Sequence, residues 1–359
     1  MKTEILVVGG GLSGLHTAAT LHAMGRETTL LEARPRLGGR ILSVAFGNAY
    51  FDLGPAWFWP GQVQMDSLIA ELSLRIFPQQ SDGAALYEDE KGRIQRINGS
   101  PMAGTYRIEG GMGVLISALA ERIPTECIQL NSEATRFRRT SAGIETTIRT
   151  DGRLKTILSE RVILALPPRL VSSLFFEPAL AKPLCSALQQ IPSWMAGQAK
   201  FLAFFDAPFW RAQDLSGEAI SQRGPLMEIH DASPISDGPY ALFGFVGTPP
   251  SQRKSLGEQL LIKEILEQLQ RLFGNSARHP AAYRIQDWGQ DLFTATELDL
   301  APLNYHPRYS YSSNVFDLWD GTLLISGTET AEQYGGFLEG ALDSSVRTVR
   351  KVGSVVRSG

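Results

Sequence analysis

The residues whose types and spacing could do chemistry fall in four short segments, far apart in the chain. Near the start, Gly9, Gly11 and Gly14 spell G-x-G-x-x-G, with Leu12 and Ser13 between the last two. In such a turn the first glycine permits a tight bend, the second lets the backbone approach a pyrophosphate, and the third lets helix and strand pack closely. The following helix then offers free N–H groups to the phosphates. Soon after comes Glu32-Ala33-Arg34-Pro35-Arg36-Leu37-Gly38-Gly39-Arg40. Glu32 stands where an acid can take a ribose hydroxyl. Arg40 ends a cationic, glycine-flexible loop and brings bidentate donors to a phosphate. A solvated basic loop is the plainer alternative, which suits Arg34 and Arg36 but not Gly-Gly-Arg as a unit. The third segment carries Lys200. On a strand, Gln198, Lys200, Leu202 and Phe204 share one face, and Ala199, Phe201, Ala203 and Phe205 the other. Both faces are largely apolar, so the ammonium has no obvious solvent side; by itself, a lysine snorkelling from a strand end is the commoner arrangement. The fourth segment runs from Gly327-Thr328-Glu329 to Gly340. A helix opening near Gly336–Leu338 would turn its N–H groups toward negative charge on a ligand.

These segments need rigid supports. Residues 4–8 are an apolar run directly before the glycines. Leu12, Leu15, Ala18, Ala19 and Leu21 then recur at helical spacing up to Met24, Gly25 is the stop, and Thr28–Leu31 reads as a second strand. This is the βαβ start of a doubly wound sheet. The pattern predicts helices over Met65–Leu74 and Val114–Arg122 and a hairpin over Tyr87–Ile97. Strands are expected at Glu126–Leu130, Ala134–Arg139, Ile144–Thr150 and Arg161–Leu166, the last broken by Pro167-Pro168. Gly197–Phe205 reads as the strand of Lys200. Asp231–Pro239 and Gly247–Ser255 read as loops. Ser255-Leu256-Gly257-Glu258 reads as a capping box before an amphipathic helix to Phe273, stopped by Gly274. Leu323–Ser326 is a late strand and Gly336–Val352 a closing helix.

Composition narrows the class. The 359 residues suit two interleaved domains, and 43% hydrophobic with 20% charged residues is ordinary for a globular protein. A net charge of −3 without long charged runs argues against nucleic acid and against an electrostatic membrane anchor. No apolar stretch approaches the roughly 20 residues of a membrane helix. The first strand leaves no room for a signal peptide, and the tail is short and polar, so a cytoplasmic protein is expected. Cys127 and Cys185 read as buried free thiols. His16, His22, His230, His279 and His306 lack metal-site spacing, so no metal is expected.

The glycine fingerprint alone does not distinguish NAD from FAD. The Glu32–Arg40 segment does: it resembles the signature of flavin-containing amine oxidases, the monoamine and polyamine oxidase superfamily. Phe51-Asp52-Leu53-Gly54-Pro55-Ala56-Trp57 resembles the family's segment that passes the flavin ring, and Glu109-Gly110-Gly111-Met112 its helix start. Ala134 falls where the family sets a backbone against the adenine, and Ile163–Pro168 resembles the strand that closes the nucleotide domain. Ile325–Thr330 and Gly335–Ala341 resemble the C-terminal signature. The resemblance spans nearly the whole chain. It implies an α/β (α+β overall) fold, with a Rossmann-like FAD-binding domain (1–56, 108–168, 297–359) interleaved with a smaller mixed substrate-binding domain (57–107, 169–296). It also implies that Gly327, Thr328, Glu329, Phe337 and Leu338 face FAD, that Trp288 packs beside the flavin, and that Lys200 holds a water near flavin N5 and favours O2 reduction. Trp57, Trp59 and Tyr334 are further pocket candidates, although aromatics of this kind more often belong to a core. His306 has two readings, facing the pocket or serving its loop, and the loop role is the favoured expectation.

The sequence departs from the family in two places. The stretch Phe293–Leu298 has no cysteine where monoamine oxidases tether FAD, and Glu297 is nearest that position, so FAD is expected to bind non-covalently. Of the two rings that frame the amine, one corresponds to Phe337, whereas the other falls at Leu298. Half the cage is missing, which leaves the substrate class open. The stretch between Trp57 and Gly110 is short, about fifty residues. The favoured expectation is oxidation of a C–H bond next to an amine nitrogen with O2 as acceptor, Lys200 being catalytic and Phe337 positioning. The alternatives are a flavin-dependent desaturase or dehydrogenase acting on C–C or ring C–H bonds, and a flavin-bound protein without turnover. The sequence does not give the oligomeric state.

Overall fold

The computed structural model describes residues 1–301, 303, 305–309 and 313–354. Two large sheets carry the chain. In the first, of nine strands, the parallel core runs Ile128–Gln129, Thr28–Leu31, Lys2–Val8, Arg153–Ala165 and Leu323–Ser326 in spatial order. Its strands are near-continuous apolar runs because both faces are covered. Helices Leu12–Ala23, Gly113–Ala120 and Leu338–Ser354 pack Leu15, Ala18, Leu115, Leu119 and Leu342 against Ile5, Val7 and Leu30. Leu6, Val8, Leu164 and Ile325 face the other side, with Phe137 and Phe176.

The strand expected at Arg161–Leu166 is much longer. Arg153–Leu158 pairs antiparallel with Gly143–Thr150 before Val162–Ala165 joins the parallel core. Its first residues, Arg153-Leu154-Lys155-Thr156, give no apolar run in the sequence and lie exposed on the hairpin with Gly143–Thr150.

The second sheet has seven strands in the order Ala282–Asp287, Ala199–Phe205, Tyr240–Val246, Leu226–Asp231, Leu215–Ser221, Ala84–Glu88 and Ile94–Ile97. The predicted alternation around Lys200 holds. Leu202 and Phe204 enter one core with Phe51 and Phe243, whereas Ala199, Phe201 and Ala203 enter another under helix Glu258–Phe273. That helix buries Leu261, Ile262, Ile265, Leu269 and Leu272 at i, i+3, i+4 spacing and ends at Gly274, φ +90°.

Its expected capping box does not form. Pro249-Pro250 opens a short helix, Pro250–Leu256, in the segment read as a loop, and Ser255 lies inside it. The long helix starts after Gly257, which makes no side-chain cap. A proline at the first helical position starts helices as readily as it ends them. Helix Val63–Glu71, lacking a side-chain cap of its own at Gln62, is capped from across the molecule: Gln64 and Met65 N–H donate to Glu339 at 2.9 and 2.8 Å. Cys127 and Cys185 are free, as expected, but only half-buried.

Candidate active site

A cavity of about 920 Å³ runs from the glycine turn, past Lys200, to an aromatic end at Phe337. Of the residues expected to bind FAD or to act in catalysis, its wall takes in all but Gly14, Ala33, Ala134 and Glu329.

At the nucleotide end two of the fingerprint glycines, Gly9 and Gly14, are obligatory. A Cβ on Gly9 (φ +108°) would meet Ala165 O at 2.5 Å, and one on Gly14 would meet Gly9 O at 1.9 Å. Gly14 thus works from behind the wall, closing helix onto strand. The helix Leu12–Ala23 begins with no side-chain cap on its first N–H groups. Ser13 instead bonds Ser326 and Ser344 at 2.9 and 3.1 Å, stapling the first helix to the last strand and helix. Buried Glu32 accepts from Gly10 N–H and Arg34 N–H, both at 2.8 Å, which fixes its carboxylate at the strand end.

The two arginines for which a solvated loop was the alternative are both engaged. Arg34 donates to Asp291 at 2.6 Å and Thr294 at 2.9 Å and lies over the Phe293 ring. Arg36 donates to Leu37, Gly39 and Ile41 carbonyls and so clamps the Gly38-Gly39 turn. Asp291, Phe293 and Thr294 had no sequence signal of their own. Arg40 meets Glu329 in a bidentate pair, 2.6 and 3.2 Å. Glu329, 0% exposed, stands behind Arg40, not on the wall. Burial disfavours the guanidinium charge, but Glu329 outweighs it and raises the Arg40 pKa. Ala134 lies in the core of the first sheet and is not on the cavity wall.

Lys200 is 2% exposed and on the wall. Its ammonium donates to Gly54 O at 3.0 Å, and Trp288 Nε1 donates to the neighbouring Leu53 O at 3.1 Å. The two side chains pin the Gly54–Trp57 segment, whose approach to Arg40 needs a glycine: a Cβ on Gly54 would lie 2.0 Å from Arg40 O. Phe243, Phe245 and Trp57 surround the ammonium, with Phe243 nearest at 3.8 Å to the ring centre. Burial lowers the Lys200 pKa to about 7; Asp52 opposes the shift and Arg107 adds to it. Asp52 is itself buried, which raises its pKa despite bonds from Ser43 and Met112 N–H.

The aromatic end differs from the expected half-cage. Phe337 stacks on His306, ring centres 4.9 Å apart, and Trp59 meets Phe337 edge-on at 5.6 Å. Trp194 meets His306 edge-on at 5.0 Å, and all four line the cavity. His306 therefore faces the pocket instead of merely serving its loop. Trp57 and Trp59 line it too, whereas Tyr334 stays off the wall. Leu298 does not occupy the second cage position: it is 55% exposed and off the wall. Thr296 and Asp299 form a capping box around residues 297–299, and Arg169 and Ser193 N–H hold Asp299, which turns Leu298 outward. Among the described residues no cluster of His, Cys, Asp or Glu is set to hold a metal ion, and no helix is long and apolar enough to cross a membrane.

A doubly wound sheet whose uncapped glycine turn opens into a cavity lined by cations and closed by aromatics defines a nucleotide-binding protein. The family model for flavin-containing amine oxidoreductases matches residues 12–102 and 87–353, and the chain belongs to that family. Among curated relatives it is 22% identical to a probable flavin-containing monoamine oxidase A of Dictyostelium discoideum, over 97% of both chains. It is 23% identical to putrescine oxidase of Kocuria rosea, over 85% of this chain and 86% of that one. Its fold matches solved structures of putrescine oxidase bound to putrescine (TM-score 0.81, 20% identity, 99% of each chain) and of cyclohexylamine oxidase from Brevibacterium oxydans (TM-score 0.80, 16% identity, 98% and 99%). The chain is thus a flavin amine oxidoreductase.

Proposed function

We propose that the protein binds FAD non-covalently and oxidises a C–H bond next to an amine nitrogen, with O2 as acceptor. The observation that carries this reading is Lys200: a buried ammonium on the cavity wall, tied to Gly54 O and ringed by aromatics, with its pKa brought down to about 7. The residues present fit FAD. The uncapped first turn of Leu12–Ala23 and the Arg40 guanidinium complement a pyrophosphate, and Glu32 is held at the strand end for a ribose. Non-covalent binding is supported by the cysteine-free 293–298 stretch and by Cys127 and Cys185 lying off the wall. The two sheets support the two-domain reading, with 1–56, 108–168 and 297–359 binding FAD and 57–107 with 169–296 binding substrate, although Phe175–Glu177 pairs with Arg136–Arg138 in the first sheet.

FAD held by these residues would supply a two-electron acceptor for the C–H bond, so that overall amine and O2 would give imine and H2O2, and water would then release the carbonyl product. The chain's own residues do the rest. Phe337, backed by His306 and Trp59, orients the amine; the aromatic wall desolvates it and so favours its neutral form. Lys200 places positive charge where O2 acquires negative charge. Leu298 points away from the cavity, which removes the observation that favoured a non-amine substrate. The test is peroxide release by FAD-loaded protein with primary amines, polyamines and amino acids. Silence across the panel with the flavin intact overturns amine oxidation.

A further inference from the structure

Glu339 lies in the first turn of helix Leu338–Ser354, two residues after Phe337, and is 5% exposed. Its Oε1 accepts from Gln64 N–H at 2.9 Å and its Oε2 from Met65 N–H at 2.8 Å. Among the described residues no lysine, arginine or histidine pairs with it. A buried carboxylate without a cation is costly. Here the first turns of two helices, its own and Val63–Glu71, supply the compensating positive ends.

The helix that Glu339 caps carries the turn of Trp59. Gln62, at the cap position, does not serve the helix with its side chain. Its Oε1 accepts from Trp59 N–H at 3.1 Å, and its own N–H donates to Trp59 O at 3.3 Å. The turn is thereby closed on itself and hung on the helix start. Phe337 is held from the other side: its N–H donates to Tyr334 O at 3.0 Å, and its carbonyl accepts from Thr328 Oγ1 at 2.7 Å. Trp59, Gln62, Thr328 and Phe337 all line the cavity, whereas Glu339 stands behind it. Trp59 is 37% exposed, and among the described residues Phe337 is the only ring that meets it. Packing of the indole therefore does little to fix its place. Met65 shares a core with Leu338 and Leu342, which holds the two helices side by side. Apolar contact is non-directional, so the register between them falls to the two hydrogen bonds of Glu339.

We propose that Glu339 is a positioning residue for the amine: acting through Gln62 and Trp59, it holds the indole edge against Phe337 and so sets the aromatic end of the cavity. This rests on amine oxidation at that end.

The test compares FAD-loaded protein with Glu339→Gln, Trp59→Ala and the double variant. Glutamine keeps the volume but turns a donor toward one of the two N–H groups. Hydrogen exchange without amine comes first. In Glu339→Gln, exchange over residues 59–66 should quicken about tenfold, the loss expected for a charge-assisted bond; unchanged exchange overturns the tie. Anaerobic bleaching of the flavin by an amine comes second. Glu339→Gln should raise the apparent Kd of the amine about tenfold, with a smaller change in the limiting reduction rate, and should add nothing to Trp59→Ala. Additive effects, or a loss confined to the limiting rate, overturn the positioning role alone. Should Glu339→Gln not fold, Gln62→Ala breaks the same path at its other end and should raise the Kd likewise; an unaltered affinity there overturns the proposal. Failure of the oxidase reading looks different: no amine bleaches the flavin of the unaltered protein, and the positioning role falls with it even where exchange shows the tie.

Discussion

The nucleotide end and the aromatic end of the cavity are built from different materials. At the nucleotide end the contacts are backbone and paired charge: Gly9 and Gly14 admit no Cβ, two N–H groups fix Glu32, and Glu329 fixes Arg40. At the aromatic end they are side chains from separate loops, with Phe337 on His306, and Trp59 and Trp194 at the edges. Backbone construction restricts residue type at fixed spacing. Ring packing tolerates several residue types from several places. The first end should therefore fail abruptly on substitution and the second by degrees.

The largest effect is expected from Gly14→Val. Its added carbon would meet backbone at 1.9 Å, with no flexible side chain to give way. The variant should lose FAD and more than about 4 kcal/mol of stability; a flavin-to-protein absorbance ratio and a melt read both, and a holoprotein of unchanged Tm would break the contrast. Next comes Lys200→Met, which should slow reoxidation of the reduced flavin in air by about 10²-fold in stopped-flow traces. Unchanged reoxidation would remove Lys200 from the chemistry. Glu329→Gln should weaken FAD binding by about tenfold, about 1.4 kcal/mol, because Arg40 loses a bidentate partner but keeps some solvent.

The Lys200 pKa sharpens the comparison. Folding lowers it from 10.5 to about 7, so the unfolded chain binds the extra proton between those values. This residue's contribution to stability should then rise with pH across that window. Its ammonium is lost over the same rise, so reoxidation should fall as pH passes about 7. Rate and stability moving together across the window would contradict that assignment. The smallest effect is expected from Leu298→Phe. Since Leu298 faces solvent, restoring an aromatic residue there should change stability by less than about 0.5 kcal/mol and leave kcat/KM for amines nearly unaltered. A large gain would put Leu298 back in the cavity.

The same distinction governs what the sequence made legible. The βαβ start, the strand of Lys200 and the closing helix follow from glycine spacing and apolar periodicity, and the structure shows them with shifts at their ends. Leu215–Ser221 and Leu226–Asp231 were missed because glycine, serine and charged residues break their alternation; Glu218 and Asp231 are buried in the fold. In the site, Arg40 and Glu329 each carry a motif, but only the fold shows that one supports the other across 289 residues. Phe293, Thr294, Trp194 and His306 sit in loops with no period to flag them. Glu339 reads as an ordinary first-turn acid until the fold shows which helix it caps.

The most direct measurement is anaerobic mixing of the purified, FAD-loaded protein with an amine panel while the visible flavin band is followed, and then readmission of air. Bleaching by at least one amine, return of the band in air and matching release of peroxide are the predicted result. A band that no amine bleaches, although dithionite does, would contradict amine oxidation at this site.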